Sequence, residues 1–308
     1  MMEKTELKKL LCDAVDSVRC EVGAFAEDIA AHPELGFFER RTSRKLSEAL
    51  SGLGLDVKEG LALTGLRADL DGGAPGPRVA LIGELDGIVC RQHPQADPED
   101  GASHSCGHNL QISAVYAAAA ALVKSGLMKE LAGSVSLIGV PAEEFIEVGR
   151  RTEMRERGEI VYYGGKQELV RLGVFDDVDM AMMVHAGDNQ PKPSFVIPEG
   201  GNGFRIFMLR YEGRQAHAAA APHLGVNALY AAVAGINAVN ALRETFRDED
   251  HIRVHYIITK GGDSVNSVPD DVRLEGYVRA GNADKIDETF DKVIRAFRAG
   301  GEALGAKC

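Results

Sequence analysis

The sequence has no block of Lys and Arg: 35 basic side chains are scattered among 46 acidic ones, leaving a formal net charge of -11. Phosphate binding draws its affinity from clustered cations, so this balance argues against a nucleic-acid partner. Nor is there a long apolar run. The longest, Ala114 to Val123, is mostly alanine and falls well short of the roughly 20 residues that cross a bilayer, so no membrane partner is expected. Met1 to Leu11 alternates charge with leucine and lacks the basic end and apolar stretch of a signal peptide. Cysteine is sparse, odd in number and scattered (Cys12, Cys20, Cys90, Cys106, Cys308), the usage of a reducing cytoplasm rather than of a disulfide framework. Internal repeats are lacking, as is low complexity beyond the alanine-rich stretch.

What is present is 308 residues with 45% hydrophobic content, enough for two domains, because single cores stop growing at roughly 250 to 300 residues. Leu7, Leu10, Leu11, Ala14, Val15, Val18, Val22, Phe25 and Ile29 recur at three- and four-residue steps, which predicts one long amphipathic helix ending before His32-Pro33. A second helix is expected over 41–53. Apolar runs at 79–85, 135–140 and 180–184 then alternate with helical patterns at 110–124 and 167–172, the signature of an α/β fold with a mostly parallel sheet. The Gly/Pro cluster Asp71 to Pro77 reads as an exposed turn between two strands. Beyond Pro191 and Pro193 the order becomes strand (204–211), helix (226–246), strand (252–259), strand (271–279) and helix (283–304), a ferredoxin-like βαββα unit without its closing strand. Asn282 is positioned to cap the last helix. The expected domains are 1–193 and 194–308.

Ligands of an open parallel sheet bind beyond the carboxyl ends of its strands. Here those ends carry Glu84 and Asp86, then Glu143 and Glu144, then His185. Between the first two strands lies His104-Ser-Cys-Gly-His-Asn109, at the start of a helix. A thiolate and an imidazole two residues apart on a glycine turn can face one small volume and suit zinc or a similar metal. The helix N-terminus favours the thiolate of Cys106. Each residue alone has an ordinary reading: Cys106 as a small buried hydrophobe, Glu143 and Glu144 as a solvated pair, His217 as a surface histidine. The convergence of separate strand ends on one edge favours a metal site, and with a second imidazole and a carboxylate two metals can be held. A cysteine hydrolase using Cys106 with His104 or His108 leaves Glu143, Glu144 and His185 unexplained.

The segments His32-Pro-Glu-Leu-Gly36, Glu84-Leu-Asp86, His104 to Asn109, Pro141-Ala-Glu-Glu144, His185, Gly213-Arg-Gln-Ala-His217 and Gly261 to Pro269 run in order through nearly the whole chain. Together they resemble the dinuclear-metal amidohydrolases and carboxypeptidases that include hippurate hydrolase, auxin-conjugate hydrolase, aminoacylase-like dipeptidases and p-aminobenzoyl-glutamate hydrolase. Asn109 with Glu84-Leu-Asp86 is similar to the branch of the last two. The resemblance implies a zinc-peptidase-like catalytic domain with an inserted ferredoxin-like dimerisation domain. It implies two divalent metals, zinc or manganese, held by Cys106, His108, Glu144 and His185, with Glu143 as general base and Asp86 supporting the metal-binding imidazole. By the same resemblance His217 and Asn266 hold the substrate carboxylate or the developing oxyanion, often across a homodimer built from residues 194–308. The substrate class it implies is a small N-acyl or N-aroyl amino acid, or a dipeptide.

Two departures shape further expectations. Segment 147–165, rich in Arg and Glu, replaces a shorter glycine-rich connection and reads as a solvated helix. Relatives continue past the inserted domain and supply one more histidine ligand, whereas this chain ends at Cys308. That leads to the expectation of a missing C-terminal part of the catalytic domain, and to the alternative of a truncated, non-catalytic protein that dimerises and binds metal incompletely.

Overall fold

The structure, a computed structural model, describes residues 3–187, 195–197 and 200–308. The chain divides into two compact units, Met1–Lys192 and Pro193–Cys308; the expected boundary at 193/194 and the prolines that signalled it lie outside the described residues.

The first unit opens with α1 (Lys4–Ser17), α2 (Arg19–Ala30) and α3 (Arg40–Gly52). The single long helix expected here is in fact two. Val18, at φ -103 and ψ 4, breaks the chain, and α1 buries no residue whereas α2 buries Ala26 and Ile29. Next come β1 (Val57–Leu61), β2 (Gly65–Asp71), β3 (Ala74–Glu84), the short β4 (Ile88–Val89) and β5 (Ala102–Ser103), α4 (His108–Ser125), β6 (Ala132–Val140), α5 (Val148–Glu156), α6 (Gly165–Arg171) and β7 (Met180–Met183). β3 begins at Ala74, so strand already occupies most of the segment expected to be a turn.

The main sheet has the order β1-β2-β6-β3-β7. β6, β3 and β7 are parallel, while β2 runs antiparallel to β6 and β1 antiparallel to β2. Successive side chains of a strand face opposite sides, and the core divides accordingly. Leu137 joins Leu46, Leu50, Leu66, Ile112 and Tyr116 on the face covered by α2, α3 and α4; Ile138 joins Ala80, Leu169 and Val174 on the face covered by α6. Segment 147–165 corrects the expectation of a solvated helix. Val148, Arg151 and Met154 of α5 are buried, and Met154 and Ile160 pack with Phe37 and Ala142 in a small core of their own.

The second unit consists of β8 (Gly203–Glu212), α7 (Ala228–Leu242), β9 (Arg253–Lys260), β10 (Asp271–Ala280) and α8 (Ala283–Leu304), in the sheet order β8-β10-β9. This is the expected βαββα order. Alternate residues Val272, Leu274, Val278 and Ala280 of β10 enter a core with Tyr211, Ala231, Val239, Val293 and Phe297. Asn282 caps α8, its side-chain oxygen accepting from the Lys285 amide at 2.9 Å. The outer edge of β8 carries one antiparallel bridge, in which Glu212 and Lys307 exchange both backbone hydrogen bonds.

Candidate metal centre

β3, β6 and β7 lie side by side and parallel, so their C-terminal ends open on one edge. Glu84 closes β3, with Asp86 two residues beyond; Glu143 and Glu144 follow β6; His185 follows β7. The remaining ligand-type side chains come from the start of α4. Gly107 is its N-cap at φ +88, a conformation that L side chains rarely adopt, and a Cβ there would lie 2.8 Å from the Ala186 Cβ. Glycine is therefore required between Cys106 and His108, and it lets the turn close against the strand end that carries His185.

His185 Nε2 lies 3.5 Å from Cys106 Sγ, and the rings of His108 and His185 stand edge to face with centroids 5.8 Å apart. Two groups of donor atoms each fall within 4.8 Å of one another: Cys106, His108 and His185, and Glu84, His108 and Glu143. His108 is shared between them and fully buried. Its Nδ1 lies 2.8 Å from the Asp86 carbonyl oxygen and 3.2 Å from Asp86 Oδ1, which leaves Nε2 directed at the cluster. Nε2 has no hydrogen-bond partner, although Glu84 Oε2 is 3.1 Å away and Glu143 Oε2 3.9 Å. A buried, orphaned imidazole nitrogen ringed by a thiol, a second imidazole and carboxylates is the donor set of a borderline divalent metal, and the residues fit such an ion.

The same geometry sets the electrostatics. Burial opposes the His108 cation, but the adjoining Asp86 and Cys106 side chains and the charges of Asp86 and Glu84 prevail and push it up to about 11. For Cys106 the neighbouring His108 favours the thiolate; burial and the Glu144 carboxylate outweigh it, and the thiol is pushed up rather than down. The expected thiolate thus does not follow from the helix terminus alone. Burial, then the charge of Glu84, pushes the Glu143 carboxyl up, with Lys166 opposing.

Glu144 is anchored through its backbone, whose N–H donates to Asp86 Oδ2 at 2.9 Å. Asn109 is buried, and its side-chain amide donates to the Ala26 carbonyl at 3.3 Å, tying α4 to α2. His217 and Asn266 belong to the second unit. There, Nδ1 of His217 accepts from the Ala219 and Ala220 amides, His217 is bridged to Ser267, and the Asn266 carbonyl accepts from the Ala218 amide, so the two expected residues share one loop pair.

Sequence reasoning missed Lys166 and Gln111. Lys166 Nζ pairs with Glu84 Oε1 and lies 3.8 Å from Glu143 Oε1. Gln111 braces the same carboxylate from the other side, donating to Glu84 Oε2 at 2.8 Å and accepting from the Glu84 amide. The signal for Lys166 is the preceding Gly165. Its amide donates to the Ala142 carbonyl at 3.1 Å, and a Cβ on it would lie 2.7 Å from the Pro141 carbonyl carbon. Backbone contact of this kind delivers the next side chain into the site.

Residues 200–303 match the family described as peptidase dimerisation domain. Over 306 residues the chain is 31% identical to a component of the p-aminobenzoyl-glutamate hydrolase of Escherichia coli strain K12, covering 94% of this chain and 57% of that protein. It is also 30% identical to the Xaa-Arg dipeptidase of Mus musculus, covering 97% of this chain and 64% of that one. The chain therefore spans less than two thirds of the length of both relatives. The same fold occurs in a dinuclear metal-binding peptidase of Bacillus subtilis, with a TM-score of 0.60 at 21% identity over 95% of this chain and 72% of that structure. Among the described residues, no helix is long and apolar enough to cross a membrane.

Proposed function

We propose that this chain is a metal-dependent amidohydrolase acting on N-acyl or N-aroyl amino acids or small dipeptides. Residues 1–193 would be its metal-binding catalytic domain and residues 194–308 its dimerisation domain. The observation that carries the reading is the gathering of Cys106, His108 and His185 donor atoms within 4.8 Å, beside a second group formed by Glu84, His108 and Glu143. Cys106, His108, Glu144 and His185 would hold two divalent ions, zinc or manganese. Bound there, such ions polarise an amide carbonyl and acidify water.

The chain's own residues account for the rest of the chemistry. Glu143 is the general base: its carboxyl, pushed up by burial and by the charge of Glu84, would take a proton from the attacking water and pass it to the leaving amine. Asp86 fixes the His108 tautomer by receiving Nδ1–H and steadies Glu144 through its amide. His217, with Asn266 beside it, would stabilise the oxyanion or bind the substrate carboxylate, a role worth a few kcal/mol. The names of the two relatives, an aroyl-glutamate hydrolase and a dipeptidase, support the substrate class. Homodimerisation is supported by the family match and by β9, an edge strand exposing Ile257 and Ile258. All five cysteines are free, as a reducing cytoplasm would keep them.

The alternative of a truncated, non-catalytic chain is not favoured by the hydrolase homologues. Metal content per chain, measured together with hydrolysis of a panel of acyl, aroyl and dipeptide amides, tests the reading. Bound divalent metal and chelator-sensitive turnover are expected. A dimer with no metal and no turnover would overturn it.

A further inference from the structure

The geometry points to Glu39 as a positioning residue for the Glu143–Glu144 pair, acting at a distance through the backbone of Ala142. The inference rests on the metal-site reading above.

Glu39 follows the His32-Pro-Glu-Leu-Gly36 motif, to which that reading gives no task. Its side chain is completely buried. Oε1 accepts the Ala142 amide at 2.6 Å, and Oε2 accepts the Thr64 hydroxyl at 2.6 Å. Ala142 is the residue immediately before Glu143 and sits at φ +47, a left-handed conformation that a non-glycine residue holds only when its surroundings impose it. Three contacts impose it here. Glu39 takes the amide, Gly165 donates to the Ala142 carbonyl, and Gly36 approaches so closely that a Cβ on it would lie 2.9 Å from the Ala142 Cα.

The turn from Pro141 to Glu144 is thus pinned at both ends, by Glu39 at the Ala142 amide and by Asp86 at the Glu144 amide. Between the pins the chain must reverse handedness. Releasing the first one frees Ala142 to relax to negative φ, which swings Glu143 and Glu144 away from the His108 and Cys106 side. Glu39 touches none of the donor atoms itself; its effect is carried by one amide hydrogen bond and the handedness of the next residue.

Zinc titration of the full chain under chelator competition tests this, with Tm and far-UV circular dichroism recorded for every variant. Glu39→Gln keeps an acceptor of the same reach and should bind zinc within about threefold of the wild type. Glu39→Ala, and Glu39→Asp as the milder change should the alanine variant fold poorly, should weaken binding about 10- to 100-fold, the range for outer supports of metal ligands. Adding Ala142→Gly to either should recover much of the loss, because glycine adopts positive φ unaided; a residue needed only for stability would not be rescued this way. A folded Glu39→Ala or Glu39→Asp variant that binds zinc like the wild type overturns the proposal alone. A wild type that takes up no zinc overturns the metal-site reading with it.

Discussion

Glu39 also gives the protein a pH dependence whose size and sign can be worked out. Burial, and then the charge of Asp86, raises its carboxyl from the ordinary 4.5 to about 8. The folded protein therefore keeps a proton on Glu39 through a range in which the unfolded chain has lost it. A group raised in the folded state contributes stability that is fully present below pH 4.5 and is lost as pH rises through 8. Each pH unit in that window is worth at most 2.303RT, so the interval corresponds to about 5 kcal/mol, an upper bound because relaxation and water entry soften a buried charge. The Thr64 hydroxyl can accept the Glu39 proton as readily as it donates its own, so the neutral acid keeps both partners.

Glu39→Gln removes the titration and keeps the shape. In chelator-treated protein, urea unfolding should show the wild type losing ground steadily to this variant between pH 5 and 8, by several kcal/mol in total, with little difference near pH 4.5. Groups common to both proteins cancel in the comparison. Stability curves that stay parallel across the window would refute the reasoning, since they would mean that Glu39 is charged or solvated in the folded state.

Three further outcomes follow from the same contacts. Asp86→Ala keeps the main-chain carbonyl that receives His108 Nδ1–H but removes the carboxylate beside that ring and the acceptor of the Glu144 amide, and should weaken zinc binding about 10- to 100-fold in a chelator competition. Lys166→Met leaves the buried Glu84 carboxylate without its cation; urea unfolding should register a loss of about 2 kcal/mol, less than for a fully buried pair because Lys166 is itself 37% exposed. In the second unit α7 and α8 cross backbone to backbone, and a Cβ at Gly300 would meet the Gly235 amide and lie 2.6 Å from the Ala231 carbonyl oxygen. Gly300→Ala should destabilise that unit by about 1–3 kcal/mol and weaken dimerisation while leaving zinc affinity unchanged, as thermal unfolding and sedimentation would show.

The parts of the fold that were legible in the sequence are those whose pattern is local. The three parallel strands announce themselves as apolar runs, and the acids and histidine at their ends can be read off directly, because strand order placed β6, β3 and β7 side by side. α8 begins and ends where its apolar stripe and Asn282 predict. The break at Val18 is invisible because the three- and four-residue spacing continues through it. β1 escaped notice since it is largely exposed and polar, whereas β2, the strand expected before the Asp71 to Pro77 cluster, turns Leu66, Ala68 and Leu70 inward. Glu39, between Phe38 and Arg40-Arg41, looks like a surface residue; it is buried by partners 25 and 103 positions away. No window along the chain contains that information.

What the sequence could not weigh is the charge balance of the cleft, and this bears most directly on its chemistry. Glu84 and Asp86 are buried, Glu143 is half-buried, and Glu144 reaches the thiol of Cys106. Among the described residues, Lys166 and the imidazole of His108, whose affinity for a proton the acids themselves drive up, stand against these acids. Buried carboxylates without compensating charge are costly, and a fold tolerates them where a cation completes the set. In the metal-free protein a proton on His108 fills part of that role. A divalent ion carries twice its charge and accepts several donors at once, so ion and proton compete for the same nitrogen and each bound ion should expel at least one proton. Calorimetric titration with zinc in two buffers of different ionisation enthalpy measures that release. Identical heats in both would mean that neither His108 nor the Cys106 thiol surrenders a proton, and that the acids are balanced in some other way.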